Sequence, residues 1–139
     1  MSALPKQEVI LVIDDDECIR DSCHQALSKA GYCVETAGNG EAGLTKAGEI
    51  EPDMALVDLH MPGISGVEVM DQLGRISPRT VRIVVTGVAH MDVVTEIIGK
   101  QQALGCLFKP FSPTELNLVV KKALDSKQVL KQKEDIHGS

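Results

Sequence analysis

Three aspartates in a row, Asp14-Asp15-Asp16, close an apolar run from Val9 to Ile13. A further aspartate, Asp58, closes a second run, Met54-Ala55-Leu56-Val57. A hydroxyl, Thr86, follows Val81-Arg82-Ile83-Val84-Val85, and an ammonium, Lys109, follows Cys106-Leu107-Phe108. Short apolar runs ended by turn residues read as buried strands. Three carboxylates gathered at one place repel, and repulsion raises their pKa unless something offsets it. A hard divalent cation is the natural offset: Mg2+ takes oxygen ligands and commonly combines one or two carboxylates with phosphate oxygens. A cation and a lysine together suit a phosphoryl group. The Thr86 hydroxyl can donate one more hydrogen bond to it. The central carboxylate, Asp58, can then be a nucleophile that becomes an aspartyl-phosphate. Singly, each residue has an ordinary explanation. Asp14 to Asp16 start a solvated helix, Asp58 caps a turn, Thr86 leaves a strand, and Lys109 is a surface lysine. Only their joint placement argues for chemistry.

That placement requires a particular set of elements. Val9 to Ile13, rich in β-branched residues, predicts a strand buried on both faces. Asp16 or a neighbour caps the following helix, whose apolar stripe is Ile19, Cys23, Ala26, Leu27 and Ala30, with Gly31 as its stop. Tyr32 to Ala37 is a short second strand, and Gly38-Asn39-Gly40 a turn. Glu41 to Ile50 is a weaker helix carrying Ala42, Leu44 and Ala47, broken by Glu51-Pro52-Asp53. After the strand that ends at Asp58 and the Pro62-Gly63 loop, a helix from Ser65 or Gly66 to Arg75 buries Val67, Val69, Met70 and Leu73. A helix from about Met91 to Gln102 turns Val93, Val94, Ile97 and Ile98 inward. Ser112-Pro113-Thr114-Glu115 predicts a capping box with proline at the first helical position. Leu116, Val119, Val120, Ala123 and Leu124 line the last helix. Strand and helix thus alternate five times, which predicts an α/β fold: a parallel sheet with helices on both faces. Asp14, Asp15, Asp58, Thr86 and Lys109 then share the carboxyl edge of the sheet, where ligands bind in open α/β folds.

A chain of 139 residues is one domain by length. Its net charge of −6 divides unevenly: from Lys121 onward five lysines outweigh three acids, leaving −8 on the rest. An acidic body argues against direct contact with nucleic acid and suits a cation or a basic partner surface. No apolar run is long enough to span a membrane, and Met1 to Glu8 lacks the apolar core of a signal peptide. Cys18, Cys23, Cys33 and Cys106 form no CxxC pair; they predict small core residues of a reduced, cytoplasmic protein. A zinc site from Cys18, Cys23, His24 and Cys33 matches no structural spacing.

With these residues assembled, the chain resembles the receiver domain of bacterial two-component response regulators. The resemblance runs from about Gln7 to Leu124. It is carried by Ile10-Leu11-Val12-Ile13-Asp14-Asp15-Asp16, Leu56-Val57-Asp58-Leu59-His60-Met61-Pro62-Gly63, Val85-Thr86-Gly87 and Phe108-Lys109-Pro110-Phe111. It implies a flavodoxin-like (βα)5 fold with strand order 2-1-3-4-5, an order for which a member of this family is the standard illustration. It also implies roles. Asp58 accepts a phosphoryl group from a phosphohistidine on a sensor histidine kinase or phosphotransfer protein. Asp15, Asp58 and the backbone carbonyl of His60 ligate Mg2+, and Asp14 acts through a bound water. Lys109 pairs with the phosphoryl oxygens. Thr86 swings towards them and reports to the face made by helix four, strand five and helix five. The domain is then a signalling phosphoacceptor that assists its own phosphorylation and dephosphorylation, not an enzyme acting on a separate substrate. Side chains at His60 and Val88 are expected to flank the water that hydrolyses the acyl phosphate.

Two positions depart from the family pattern. Cys106 stands three residues before the lysine, where Tyr or Phe is usual, so the coupled swing of an aromatic ring behind Thr86 is replaced by a smaller repacking or by a weak switch. Between Thr86 and Lys109 there is one residue more than usual, which predicts an irregular end to helix four. Two rival readings remain at this stage. A haloacid-dehalogenase-like phosphatase would use Asp14 as nucleophile and Asp16 as general acid; an interaction module would bind partners without phosphorylation. Residues 7–125 are assigned to the receiver unit and 126–139 to a helical extension or linker. That tail is expected to prolong the last helix into solvent, lead to a fused output domain, or contribute to a homodimer. Output otherwise passes to a separate downstream protein.

Overall fold

The computed structural model describes residues 7–137, with side chains described through Lys127. Five strands, β1 (Val9–Ile13), β2 (Cys33–Ala37), β3 (Met54–Asp58), β4 (Val81–Gly87) and β5 (Gly105–Lys109), form one parallel sheet in the order β2-β1-β3-β4-β5. Five helices alternate with them: α1 (Glu17–Lys29), α2 (Gly40–Ile50), α3 (Gly66–Ile76), α4 (Met91–Gly99) and α5 (Pro113–His137). The expected flavodoxin-like (βα)5 architecture is therefore present. β3 is buried along its whole length because both neighbours and both helical layers cover it. Alternation along the strands divides the core in two. Leu11, Ile13, Ala55, Val57 and Val84 pack with α2, α3 and α4, while Ile10, Val12, Leu56, Ile83 and Val85 pack with α1 and α5.

Helix starts are capped by side chains at Asp16 and Ser112, as expected, and at Asn39 and Ser65 as well. Asp16 accepts from Cys18 N at 2.9 Å, Asn39 from Ala42 N at 2.8 Å and Ser65 from Glu68 N at 3.2 Å. Ser112 and Glu115 form the reciprocal capping box, at 3.1 and 3.4 Å. Gly31, at φ +100°, ends α1 in the left-handed region as glycine can.

Several inward assignments need correction. Ala30 lies at the exposed end of α1, and Ala42 faces solvent. In α2 the packed face is Gly40, Gly43 and Ala47, with Leu44 only half-buried. The two glycines let this helix approach closer than any side chain permits: a Cβ on Gly43 would stand 2.4 Å from Ile13 Cδ1. Val67 and Ile98 are exposed, each one position off the stripe that buries Val69, Met70 and Leu73 in α3 and Val94 and Ile97 in α4. The region with the extra residue is irregular at both ends. A 3-10 turn, Val88–His90, precedes α4, and α4 stops at Gly99 with Gln101 at φ +60°.

Among the cysteines only Cys23 is fully buried; Cys33 and Cys106 are half-buried and Cys18 is exposed, because it sits on the solvent side of α1. Cys18, Cys23, His24 and Cys33 make no metal-competent cluster among the described residues. The last helix runs on from the receiver unit without a break at Asp125. Lys127 turns back to Asp53, with Nζ 3.8 Å from Oδ1. The side chains of residues 128–139, on which the tail expectations fall, lie outside the described residues.

Candidate functional site

Each strand end delivers its side chain for a local reason. Asp14 follows Ile13 where β1 leaves the sheet; its amide donates to Ala37 O at 3.1 Å, and its Oδ1 accepts from Asp16 N at 2.9 Å. Asp58 is the last residue of β3, and its Oδ1 accepts from the His60 amide at 3.2 Å. The next residue, Leu59, donates to Val85 O at 3.1 Å, so the β3 exit is fastened to β4 just before Thr86. Thr86 and Phe108 are register partners in β4 and β5, as are Gly87 and Lys109. Strand register thus brings four chain-distant groups to one edge.

The carboxylates meet as the sequence predicts. Asp14, Asp15 and Asp58 each offer an oxygen, all within 4.8 Å of one another. Asp14 and Asp58 are buried and Asp15 is exposed. Lys109 Nζ lies 2.8 Å from Asp14 Oδ2 and 3.4 Å from Asp58 Oδ2, so one ammonium serves two buried carboxylates. Burial, then the Asp14 charge, hold the Asp58 carboxyl above the ordinary carboxylate value, although the His60 amide and Lys109 pull it down. Burial alone would lower the Lys109 pKa; the hydrogen bond to Asp14 and the charges of Asp14 and Asp58 outweigh it and raise it. Thr86, 1% exposed, has a buried hydroxyl oxygen with no hydrogen-bond partner. A buried hydroxyl without a partner carries a desolvation cost that a ligand oxygen can relieve.

A hard cation fits this donor set. The cluster offers only carboxylate oxygens, it is short of positive charge, and one of its members is exposed and reachable from solvent. Three positions that the sequence reading passed over also shape the site. Arg20 Nη1 donates to Asp14 O at 2.8 Å and pins the exit of β1. Gly66 lets α3 start against the backbone of Asp58, where a Cβ would stand 2.4 Å from the carbonyl oxygen. His90 lies against His60. Arg20 and Gly66 are, in sequence, an ordinary helix arginine and an ordinary helix start; only the tertiary approach gives them a role. Cys106 is not part of the carboxylate cluster. It pairs with Val84 in register and packs in the layer with Val94 and Ile97, and burial pushes its thiol pKa up. A thiol held protonated is a poor redox nucleophile.

The family model described as the response regulator receiver domain matches residues 10–121. The chain belongs to the response regulator receiver domain family. Sporulation initiation phosphotransferase F of Bacillus subtilis is 32% identical over 123 residues, covering 86% of this chain and 96% of that protein. The nitrate/nitrite response regulator protein NarL of Escherichia coli is 38% identical over 127 residues, covering 88% of this chain and 57% of NarL. Among solved structures, a CheY-like response regulator receiver domain protein from Methanospirillum hungatei superposes with a TM-score of 0.83 at 31% identity, covering 88% of this chain and 98% of that one. The chain spans 28% to 57% of the length of the first curated relatives it matches.

The chain therefore carries a two-component receiver domain. The phosphatase alternative finds no such support, and the site speaks against it. Asp16, its required general acid, has its side chain committed to capping α1, and Asp14 is closed in by Lys109. No helix among the described residues is long and apolar enough to cross a membrane.

Proposed function

We propose that Asp58 is the phosphoacceptor, that Asp14, Asp15, Asp58 and the His60 carbonyl hold Mg2+, with Asp14 acting through a water, and that Thr86 and Lys109 receive the phosphoryl oxygens. The single observation that carries this reading is the charge balance of the cluster: two buried carboxylates share one ammonium and a third stands beside them. A carboxylate oxygen of Asp58 attacks the phosphorus of a phosphohistidine. The O–P bond forms as the P–N bond breaks, and the imidazole leaves with the electron pair and takes a proton from water. Mg2+, when bound, supplies charge neutralisation at the phosphoryl oxygens. Lys109 already points at Asp58 and can follow the new oxygens while keeping Asp14. Thr86 gains the hydrogen-bond partner that its hydroxyl lacks. That gain biases the face of α4, β5 and α5 between two states, which is a population shift and not a new fold.

The domain then works as a cytoplasmic signalling element between a sensor histidine kinase or phosphotransfer protein and an output. It assists its own phosphorylation and dephosphorylation and turns over no separate substrate. Residues 7–125 form the receiver unit. Residues 126–139 serve as a helical extension or linker, towards an output domain, a downstream protein contact or a homodimer. The test is mass spectrometry after incubation with acetyl phosphate and Mg2+. Wild type should gain one phosphoryl group in a Mg2+-dependent way, and Asp58→Asn should gain none. Modification that persists in Asp58→Asn, or that maps to Asp14, would overturn the assignment. No modification of a folded wild type would favour the phosphorylation-independent interaction module.

A further inference from the structure

Two imidazoles with no part in forming the aspartyl-phosphate face each other at the rim of the site. His60 lies in the β3–α3 loop, two residues past Asp58; His90 closes the 3-10 turn, four residues past Thr86. Their ring centroids are 4.0 Å apart and the planes are tilted by 47°. The His60 ring is exposed and the His90 ring half-buried. Among the described residues, hydrogen bonds to His60 involve only its backbone amide, and neither ring enters an ion pair.

We propose that His60 and His90 form a two-imidazole site for a borderline transition-metal ion, such as Ni2+ or Zn2+, distinct from the carboxylate site for Mg2+. Neutral imidazole is the commonest protein ligand for such ions, whereas an all-oxygen cluster suits hard ones. The rings come from two different loops, so nothing in one helix or strand forces them together. With centroids 4.0 Å apart, rotation about the side-chain bonds can bring one nitrogen of each ring onto a common ion. The neighbourhood is negative: Asp14, Asp15 and Asp58 concentrate cations at this edge. Water completes the coordination on the exposed side. An ion held here ties the β3–α3 loop to the turn after β4, the two segments that border Asp58 and Thr86. Its effect on phosphoryl uptake rests on the function proposed above; the binding itself does not.

The experiment uses the untagged full chain with saturating Mg2+, so that the carboxylates are occupied, and Ni2+ as the probe. Calorimetry gives the affinity. Paramagnetic broadening of backbone amide resonances gives the location. Wild type should bind Ni2+ with broadening centred on Leu59, Met61, Ala89 and Met91. His60→Ala and His90→Ala should each weaken binding by at least about tenfold, the scale expected for losing one of two ligands. His24→Ala should leave the affinity unchanged, and Mg2+ titrated against the bound Ni2+ should not displace it, which separates this site from the carboxylate cluster. Absence of Ni2+ binding in wild type overturns the proposal. So does binding that survives both rim-histidine variants, or broadening centred on Asp14 and Asp15 or on Cys18 and His24. Both rings lie at the rim, away from the two packed cores, and thermal unfolding of each variant checks that the fold is intact.

Discussion

Gly66→Ala tests whether the backbone of α3 fixes Asp58. A Cβ at position 66 would stand 2.4 Å from the carbonyl oxygen of Asp58, 2.5 Å from Leu59 Cα and 3.0 Å from Asp58 C. All three are backbone atoms, so no side-chain rotation relieves the clash. The Gly66 amide also donates to Leu59 O at 3.1 Å, which resists a sideways slide of the helix. Overpacking of this kind costs about 1–3 kcal/mol, and rigid neighbours place this case in the upper half. The gain in helix propensity from glycine to alanine, up to about 1 kcal/mol, acts the other way. The expected net loss is about 1–2 kcal/mol, roughly a tenfold change in the unfolding equilibrium. Gly48→Ala is the internal control, since it adds a Cβ in α2 where nothing lies within 4 Å and should stabilise by about 0.5–1 kcal/mol. Urea unfolding of the three proteins measures both effects, and a Mg2+ titration reports whether the end of β3 has moved. If Gly66→Ala matches wild type in both stability and Mg2+ affinity, the close approach does not position Asp58 and the reasoning fails.

Asp58→Asn should raise the stability of the metal-free protein at neutral pH. The folded-state pKa of Asp58 lies above the unfolded value, chiefly through burial and then the Asp14 charge, so the ionised group costs stability above that folded pKa. The native state binds the proton more readily, so wild-type stability rises as pH falls through the folded pKa and the advantage of Asn fades. Denaturant midpoints across that range measure it, and a constant advantage at every pH would refute it. For Lys109→Met the sign reverses. Its folded pKa is raised, so its contribution is complete below the unfolded lysine value and lost as pH rises through the folded one. The variant should be less stable than wild type at neutral pH without metal, and should bind Mg2+ more tightly because the competing ammonium is gone. Arg20→Met removes the 2.8 Å bond to Asp14 O and should cost about 1–2 kcal/mol in chemical unfolding, with weaker Mg2+ binding. His60→Ala should change the lifetime of phosphorylated protein without preventing its formation; an unchanged lifetime would remove the flanking role of that side chain.

Four of the five strands were legible because each is a short apolar run that stops at a charged or polar residue, while β2 is a mixed stretch ended by Gly38; the parallel sheet follows from their alternation with helices. The carboxylate cluster was legible for the same reason: Asp14, Asp58, Thr86 and Lys109 are all strand-end residues, and register carries them to one edge. What could not be read were approaches between backbones and between loops. Gly40 and Gly43, not Ala42, face the sheet or its loops from α2, because the closeness of that helix is set by what lies beneath it, Ile13, Ile64 and Val69. Periodicity in α3 and α4 gave a stripe that was too wide by one residue on one side, Val67 and Ile98, since it cannot say how far a helix is rolled. His90 carried no signal, because its meaning depends on a 3-10 turn that brings it against His60.

The unmodified site is out of balance in two ways that one ligand can correct. Asp14, Asp15 and Asp58 face a single lysine, so negative charge is in excess, and Thr86 keeps a buried hydroxyl without a partner. A cation relieves the first deficit and leaves the second. A phosphoryl group arriving with a cation relieves both, because its oxygens can take Lys109 and the Thr86 hydroxyl together. Movement of Thr86 is therefore tied to the phosphoryl group itself and not to occupancy by metal alone, which is the discrimination a phosphorylation switch requires. Val84, Cys106 and Phe108 pack in one layer with Val94 and Ile97, so on the function proposed above the movement would be passed on there. With a small thiol at position 106, the only ring in that stretch of β5 is Phe108, the register partner of Thr86, so the first side chain to feel the threonine move is the neighbour across the strand pair.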